Sequence, residues 1–130
     1  MATLPARERH TTARLELAFD YGGGVFEQWP EGLEPQCRRI VDPPMRVRVR
    51  LAAAIARDAP AKANEIALRV RAEGLVLDEI VDGELLGWCR SNRGDWLGVV
   101  DIELHTSNRL GRLPLRQLIP AGAIERADER

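Results

Sequence analysis

Residues 83–124 hold the feature that most constrains the fold of this chain: three short apolar runs separated by turn residues. The runs, at 83–90, 95–104 and 113–119, are rich in branched and aromatic side chains, and Asn and Gly occur between them. This arrangement is typical of consecutive antiparallel strands joined by tight turns. We therefore expect a β-meander over residues 83–124.

Two segments upstream alternate apolar with polar residues, which is the period of a half-buried strand. In residues 13–21 every second position is apolar, and in residues 45–51 three arginines alternate with Val and Leu. We expect a strand in each segment. The glycine triplet at 22–24 is not followed by the Gly-Lys-Ser/Thr of a phosphate loop, so it predicts a flexible turn.

Residues 27–44 contain four prolines and predict a long loop. Loops of this length without secondary structure are uncommon in compact domains and are often functional. We expect Phe26 and Trp29 to anchor the loop on the core. The alternative is that the loop binds a partner through an exposed Trp29.

Residues 60–73 predict one helix, because a proline suits its first turn and Ala, Ile and Val recur along one stripe. Gly74 is expected to end this helix in the left-handed conformation. Residues 75–81 form an apolar run that predicts a strand, and the Asp82-Gly83 pair predicts a hairpin turn. The helix would then pack on the sheet just before the meander begins.

These segments predict a single α+β domain over residues 13–125, with tails at 1–12 and 126–130. One helix packs on a twisted antiparallel sheet, and the C-terminal strands form either a small barrel or a meander.

Three segments of the chain resemble the spacing of motif residues in SH3-like small barrels. They are Gly87-Trp88, residues 94–100 and residues 118–124. In those barrels a Trp-x-Gly-x-Val strand is followed by a hydrophobic-Pro-x-x-x-hydrophobic turn before the last strand. The chain departs from the peptide-binding members in lacking an acidic, aromatic-rich first loop. The resemblance implies an SH3-like barrel and does not fix a function.

Composition and charge argue against several classes of protein. The net charge of −1 gives no overall attraction to nucleic acid or anionic lipid, and no apolar run reaches the roughly 20 residues that cross a bilayer. The N-terminal residues lack the apolar core of a secretory signal, so we expect a cytoplasmic protein without a membrane partner. Histidine and cysteine show none of the usual zinc-binding spacings, so we expect no metal and no cofactor.

A catalytic function would require Cys89 as nucleophile and His105 as base, with Glu103 or Asp101 behind the base. No neighbouring segment is suited to form an oxyanion hole, and a free cysteine is often simply a small buried hydrophobe. We therefore expect a non-enzymatic protein. A small cysteine-dependent enzyme is a hypothesis that ranks below the two binding functions described next.

Arginine and tryptophan in the predicted sheet favour a binding or accessory module. Aromatic faces stack on bases and arginines contact phosphates, which are the two ingredients of non-specific binding to nucleic acid. The alternative is that both tryptophans of the meander, Trp88 and Trp96, belong to the core and that the arginines keep the sheet soluble. The candidate nucleic-acid contacts are Arg46, Arg48, Arg50, Arg90, Arg93, Arg109, Arg112 and Arg116.

The second hypothesis is a protein-interaction or structural subunit. Such a protein would use Phe26 and Trp29 together with an exposed sheet edge, and the same edge could pair with a second copy of the chain. The sequence alone leaves the choice between a nucleic-acid partner and a protein partner open.

Overall fold

The computed structural model describes residues 22–127, in which five strands form one antiparallel sheet curled into a half-barrel. The strands are β1 (Arg38–Arg50), β2 (Ile80–Arg90), β3 (Trp96–His105), β4 (Arg112–Pro120) and β5 (Ile124–Arg126), and the α-helices are α1 (Leu51–Ala54) and α2 (Leu68–Glu73). The order of strands across the sheet is β4-β3-β2-β1-β5.

The meander predicted over residues 83–124 is confirmed as β2, β3 and β4, which pair antiparallel in sequence order. In the turn between β2 and β3, the backbone N–H of Gly94 donates to the oxygen of Ser91 at 2.9 Å. Gly94 has a φ of 95°, a left-handed conformation that glycine adopts without steric cost. A 3-10 helix at Ala121–Ala123 then leads into β5, which returns to pair with β1.

The hairpin turn predicted at Asp82 and Gly83 is wrong, because both residues lie inside β2. A Cβ atom on Gly83 would lie 2.8 Å from Cγ1 of Val100 and 2.9 Å from Cγ2 of Ile102. This glycine therefore allows side chains of the neighbouring strand to approach the backbone of β2 closely. It does not reverse the chain.

The strand predicted over residues 45–51 is confirmed over 45–50 as part of β1, which begins as early as Arg38 and takes up the end of the predicted loop 27–44. The pairing of β1 with β2 shifts register between Ile40 and Met45, and two prolines lie within this irregular stretch. Proline is tolerated at a bulge because no regular ladder bond is lost there.

The single helix predicted over residues 60–73 is confirmed only in part, at Leu68–Glu73. A 3-10 helix at Ala63–Glu65 and the short α2 occupy this segment, and Ile66 between them is extended. No side chain of α2 is buried, and most of the stability of a helix comes from packing its apolar face, so the pattern does not hold one long helix together. Gly74 has a φ of −83° and does not end α2 in the left-handed conformation.

Two smaller predictions also differ from the structure. The strand predicted over 75–81 begins only at Ile80, and Leu75 forms an isolated bridge with Thr106. The predicted glycine turn is part of a 3-10 helix at Gly22–Phe26.

The strand predicted over residues 13–21 and the tail predicted over 1–12 lie outside the described residues. Of the predicted tail 126–130, Arg126 is the last residue of β5.

Hydrophobic packing divides the sheet into two faces. A small cluster of Phe26, Leu86, Cys89 and Val99 lies on one face, which we call the outer face. Val99 and Val100 are successive residues of β3 and therefore point to opposite faces. The main core lies on the inner face and consists of Val47, Val49, Leu51, Leu85, Val100, Ile102, Leu104, Ile119 and Ala123.

Candidate ligand-binding surface

Two arginines and two tryptophans from three strands meet on the inner face of the sheet. Arg39 of β1 lies opposite Trp88 of β2, and Arg90 of β2 lies opposite Trp96 of β3. Because Trp88 and Arg90 are two residues apart on one strand, all four side chains share one face. Trp88 packs against the main core, which identifies this face as the inner one. We call these four residues the Arg–Trp patch.

Both guanidinium groups of the Arg–Trp patch lie against the indole ring of Trp96. The distance from Cζ to the ring centroid is 5.5 Å for Arg39 and 5.1 Å for Arg90. Cation–π contacts of this length contribute about 0.5–1 kcal/mol each at exposed sites. Since Arg39 is exposed and Trp96 is half-buried, the stacked groups remain accessible to a ligand.

Backbone oxygens fix the direction of the Arg90 side chain. Its Nε donates to the oxygen of Gly94 at 3.3 Å, and its Nη1 donates to the oxygen of Gln36 at 3.4 Å. These two bonds tie the guanidinium to the β2–β3 turn on one side and to the loop before β1 on the other. A ligand that uses this group therefore loses less side-chain entropy on binding than with a free arginine.

Two pockets share Arg39 and Trp96 in their walls. The smaller, of about 310 Å³, is completed by Trp88 and Ala121. The larger, of about 550 Å³, is more polar, and its three arginines and two glutamates leave a formal charge of +1. The larger pocket is lined by Glu31, Glu34, Pro35, Gln36, Arg38, Arg39, Ile40, Arg90 and Trp96.

The two aromatic residues of the predicted partner-binding loop have different environments. Phe26 is only 3% exposed, within the outer-face cluster, whereas Trp29 is 36% exposed. Their ring centroids lie 6.4 Å apart with the planes tilted by 48°. The backbone oxygen of Trp29 accepts a hydrogen bond from Nε of Arg38 at 2.7 Å. Phe26 thus anchors the segment as predicted, and Trp29 lies at the surface.

Three of the predicted contact arginines lie on the outer face of β1. Arg46 is opposite Glu84 of β2, and Arg48 is opposite Asp82. Arg50 donates a hydrogen bond from Nη2 to the backbone oxygen of Gly122, in the 3-10 helix before β5. Opposite charges at paired positions of neighbouring strands stabilise a sheet, so the charges of Arg46 and Arg48 are offset by their acidic neighbours.

Two more of the predicted arginines pair with carboxylates. Nε of Arg116 lies 2.6 Å from Oδ1 of Asp101 on the neighbouring strand. Nη2 of Arg109 lies 3.5 Å from Oε2 of Glu79, and its Nη1 lies 3.1 Å from Nε2 of His105. Both arginines are therefore engaged within the protein.

Arg93 and Arg109 lie in turns at opposite ends of the sheet. The ten residues of β3 separate these turns, a length of about 30 Å. Arg112, at the start of β4, lies at the same end as Arg109, because it pairs with His105. Of the eight predicted contacts, only Arg90 belongs to the Arg–Trp patch and only Arg93 lies in the adjoining turn.

Arg39 is the residue of the patch that sequence analysis missed, because the prolines around it predicted a loop. The available signal was the segment 38–41, in which two β-branched residues directly follow two arginines. Such a segment is compatible with a strand, and the bulge allows the strand to continue past the prolines.

The residues considered for catalysis do not meet. Cys89 pairs with Leu97, whereas His105 lies eight residues further along β3, about 26 Å away. Burial raises the pKa of the Cys89 thiol, which lowers its thiolate content. Nε2 of His105 lies 3.0 Å from Oε1 of Glu79, so the imidazole is engaged at the other end of the sheet.

Metal-binding clusters and membrane-spanning helices are both absent from the part of the chain that the structure describes. Residues 22–127 contain no group of three or more His, Cys, Asp or Glu side chains arranged to hold a metal ion. No helix within the same residues has the length and apolar character to cross a membrane.

Comparison with protein-family models, curated proteins and solved structures gives no significant match. Evidence on function therefore comes from the geometry of the chain's own residues. The Arg–Trp patch is where that geometry brings charge, aromatic surface and an open pocket together.

Proposed function

We propose that this protein is a non-enzymatic binding module that takes single-stranded nucleic acid on the Arg–Trp patch. The observation that carries the proposal is the placement of two guanidinium groups against one accessible indole, at the wall of a pocket of about 550 Å³. A pocket of this size accommodates one nucleotide with its phosphate.

The chemistry of the patch matches the parts of a nucleotide. Stacking of a base on an aromatic side chain contributes about 1–3 kcal/mol, and Trp96 offers the ring for it when the exposed Arg39 side chain turns aside. A guanidinium stacked on an indole keeps N–H groups at its edge, and these can donate to phosphate oxygens. Arg90 is already held in place by Gly94 and Gln36, so it serves as the fixed phosphate contact, and the exposed Arg39 serves as the adaptable one.

The position of Arg93 supports a path for a second phosphate. Arg93 is exposed in the turn that the side chain of Arg90 contacts through Gly94. A single-stranded nucleic acid with one base stacked on Trp96 could therefore continue along this turn, with its next phosphate at Arg93. Arg46 and Arg48 of the outer face contribute less in this proposal, because acidic residues lie opposite them.

The strand arrangement supports an SH3-like barrel as the fold of this module. The strand β1 pairs with both β2 and β5, and the 3-10 helix at Ala121–Ala123 follows Pro120 between the last two strands. This position corresponds to the hydrophobic-Pro-x-x-x-hydrophobic turn that the resemblance placed before the last strand.

Binding of a labelled single-stranded DNA 12-mer of mixed sequence, followed by fluorescence anisotropy at several salt concentrations, tests the function. We expect Arg39→Ala and Arg90→Ala each to weaken binding about fivefold and to reduce the slope of log K against log salt by about 0.7. Trp96→Ala should weaken binding about tenfold. Arg57→Ala is the matched control, since it removes one exposed arginine far along the chain from the patch and should leave affinity within twofold.

Two outcomes would contradict the proposal. Absence of binding by the wild-type protein at low salt would exclude the function. An equal loss in Arg57→Ala and Arg90→Ala would show that binding depends on general charge and would exclude the patch as the site. Circular dichroism of each variant separates loss of binding from loss of fold.

A protein-interaction module is the second candidate, and the edge of the sheet favours it. Within residues 22–127, β4 has a strand neighbour on one side only, and Leu113 and Leu118 on it are 45% and 54% exposed. An unpaired strand with exposed leucines can accept a strand from another protein. Leu118→Lys should abolish such an association in a co-sedimentation or light-scattering experiment while leaving DNA binding unchanged.

A further inference from the structure

We infer that the larger pocket beside the Arg–Trp patch selects the base, preferring guanine over thymine or uracil through the carboxylates of Glu31 and Glu34. This inference rests on the proposed function, because it specifies which nucleotide the same site takes. The two glutamates belong to the loop before β1, whereas Arg39, Arg90 and Trp96 lie on strands of the sheet.

Opposite charges in one pocket orient a nucleotide. A phosphate group is attracted by the guanidinium groups of Arg39 and Arg90 and repelled by the two carboxylates. A base stacked on Trp96 therefore has its phosphate on the arginine side, and its hydrogen-bonding edge is left to meet the glutamates. This edge is the part of the base that differs among the four nucleotides.

The carboxylate of Glu34 is held at the pocket wall by its own loop. Nε2 of Gln36 donates to Oε2 of Glu34 at 3.2 Å and to the backbone oxygen of Gly32 at 3.2 Å. The backbone oxygen of Gln36 in turn accepts from Nη1 of Arg90 at 3.4 Å. One residue thus connects Arg90 to the carboxylate of Glu34. Within residues 22–127, Oε2 of Glu34 is the oxygen that accepts from Gln36, and Oε1 can accept from a ligand.

An ionised carboxylate accepts hydrogen bonds and cannot donate them. Guanine presents two adjacent donors, N1–H and the N2 amino group, which match the two oxygens of a carboxylate or one oxygen from each glutamate. Thymine and uracil present one N–H between two carbonyl oxygens, and those oxygens are repelled by the carboxylates. Cytosine and adenine each offer one amino group and are expected to bind with intermediate affinity.

Four thymidine heptamers test the inference: one unsubstituted, and three with guanine, adenine or cytosine at the central position. Their affinities are measured by anisotropy at low salt. We expect the heptamer with central guanine to bind wild-type protein about five- to tenfold more tightly than the unsubstituted one.

The double variant Glu31→Gln/Glu34→Gln should lose this preference, because an amide can donate to a thymine carbonyl. It should also bind the unsubstituted heptamer more tightly, because the repulsion of phosphate is removed. Glu65→Gln, an exposed glutamate in the 3-10 helix Ala63–Glu65, is the matched control and should keep the wild-type preference.

The outcomes separate this inference from the proposed function. If none of the heptamers binds, the proposed function itself fails. If all bind equally, the function stands and the base preference is wrong. If guanine is preferred and the double variant keeps the preference, groups other than the two glutamates select the base and the inference is overturned.

Discussion

Arg116 and Asp101 form a two-bonded ion pair across β3 and β4, with Nε to Oδ1 at 2.6 Å and Nη2 to Oδ2 at 3.0 Å. The side chain of Arg116 is only 10% exposed, and that of Asp101 is 36% exposed. Asp101 lies opposite Glu84, which lies opposite Arg46, so the pair belongs to a row of four charged residues on the outer face, in which two carboxylates lie between two arginines. The Arg–Trp patch lies on the other face.

Removal of this pair should lower stability without affecting binding. We expect Arg116→Met and Asp101→Asn each to lower the free energy of unfolding by about 1–3 kcal/mol, between the values for exposed and buried pairs. Urea denaturation measures the change. The exposed pair of Arg69 with Glu73 provides the control, since Arg69→Met should cost less than about 0.5 kcal/mol. A loss of DNA affinity in folded Arg116→Met would contradict the assignment of Arg116 to a structural role.

The meander could be predicted from the sequence because its signals are local. Branched runs and the intervening Asn and Gly residues each act within a few positions of the chain. The Arg–Trp patch could be predicted only in part. Trp88, Arg90 and Trp96 lie on the predicted meander, but Arg39 joins them through a pairing between β1 and β2 that no local pattern encodes.

The incorrect predictions have a common physical cause. The stripe in residues 60–73 predicts a helix only if a surface exists to cover it, and the structure leaves Ala67 and Val70 of this stripe exposed. Gly83 follows an aspartate as in a hairpin turn, yet the close approach of Val100 requires a glycine at this point of a strand. In both cases packing between distant segments, missing around residues 60–73 and tight at Gly83, decides the local structure over propensity.

Replacement of Gly87 is expected to lower stability because Phe26 lies where a side chain at this position would have to go. A Cβ atom there would lie 2.5 Å from Cε2 and 2.7 Å from Cζ of Phe26, and 2.9 Å from the backbone oxygen of Arg39. We expect Gly87→Ala to lower the free energy of unfolding by about 1–3 kcal/mol. It should also increase the quenching of tryptophan fluorescence by acrylamide, because Trp29 packs against Phe26 and becomes more exposed when Phe26 leaves its site.

Gly122→Ala is the control for Gly87→Ala, since a Cβ atom at Gly122 would meet nothing within 4 Å. Its free energy of unfolding should stay within about 0.5 kcal/mol of wild type. Equal stability of the two alanine variants would show that the Phe26 site can expand without cost.

The two cysteines should differ sharply in reactivity. Cys37 is exposed, whereas Cys89 is buried and has a raised pKa because of that burial. We expect one thiol to react quickly with Ellman's reagent in the native protein and the second only after denaturation in urea. The variant Cys37→Ser should show no fast reaction. Rapid modification of Cys89 in that variant would instead support the hypothesis of a cysteine-dependent enzyme.

The stability of the turn between β2 and β3 should depend on pH through Asp95. The hydroxyl of Ser91 donates to the Asp95 carboxylate, and this bond, followed by the backbone N–H of Asp95, holds the pKa of the carboxyl below its ordinary value. A group whose pKa is lower in the folded state stabilises the fold above its unfolded pKa, and this contribution is lost as the pH falls through the folded pKa.

Thermal unfolding between neutral pH and about pH 2.5 tests this linkage. Asp95→Asn should lower the midpoint at neutral pH. The difference from wild type should narrow as the pH falls from about 3.9, the ordinary pKa of the unfolded carboxyl, through the lower pKa of the folded one. Ser91→Ala in the Asp95→Asn background should cost less at neutral pH than Ser91→Ala alone, because the two residues act through one bond. A difference between wild type and Asp95→Asn that stays constant in acid would show that the charge of Asp95 does not stabilise the turn. In that case the turn would depend on its backbone bonds, such as that from the N–H of Ser91 to the oxygen of Asp95 at 3.0 Å.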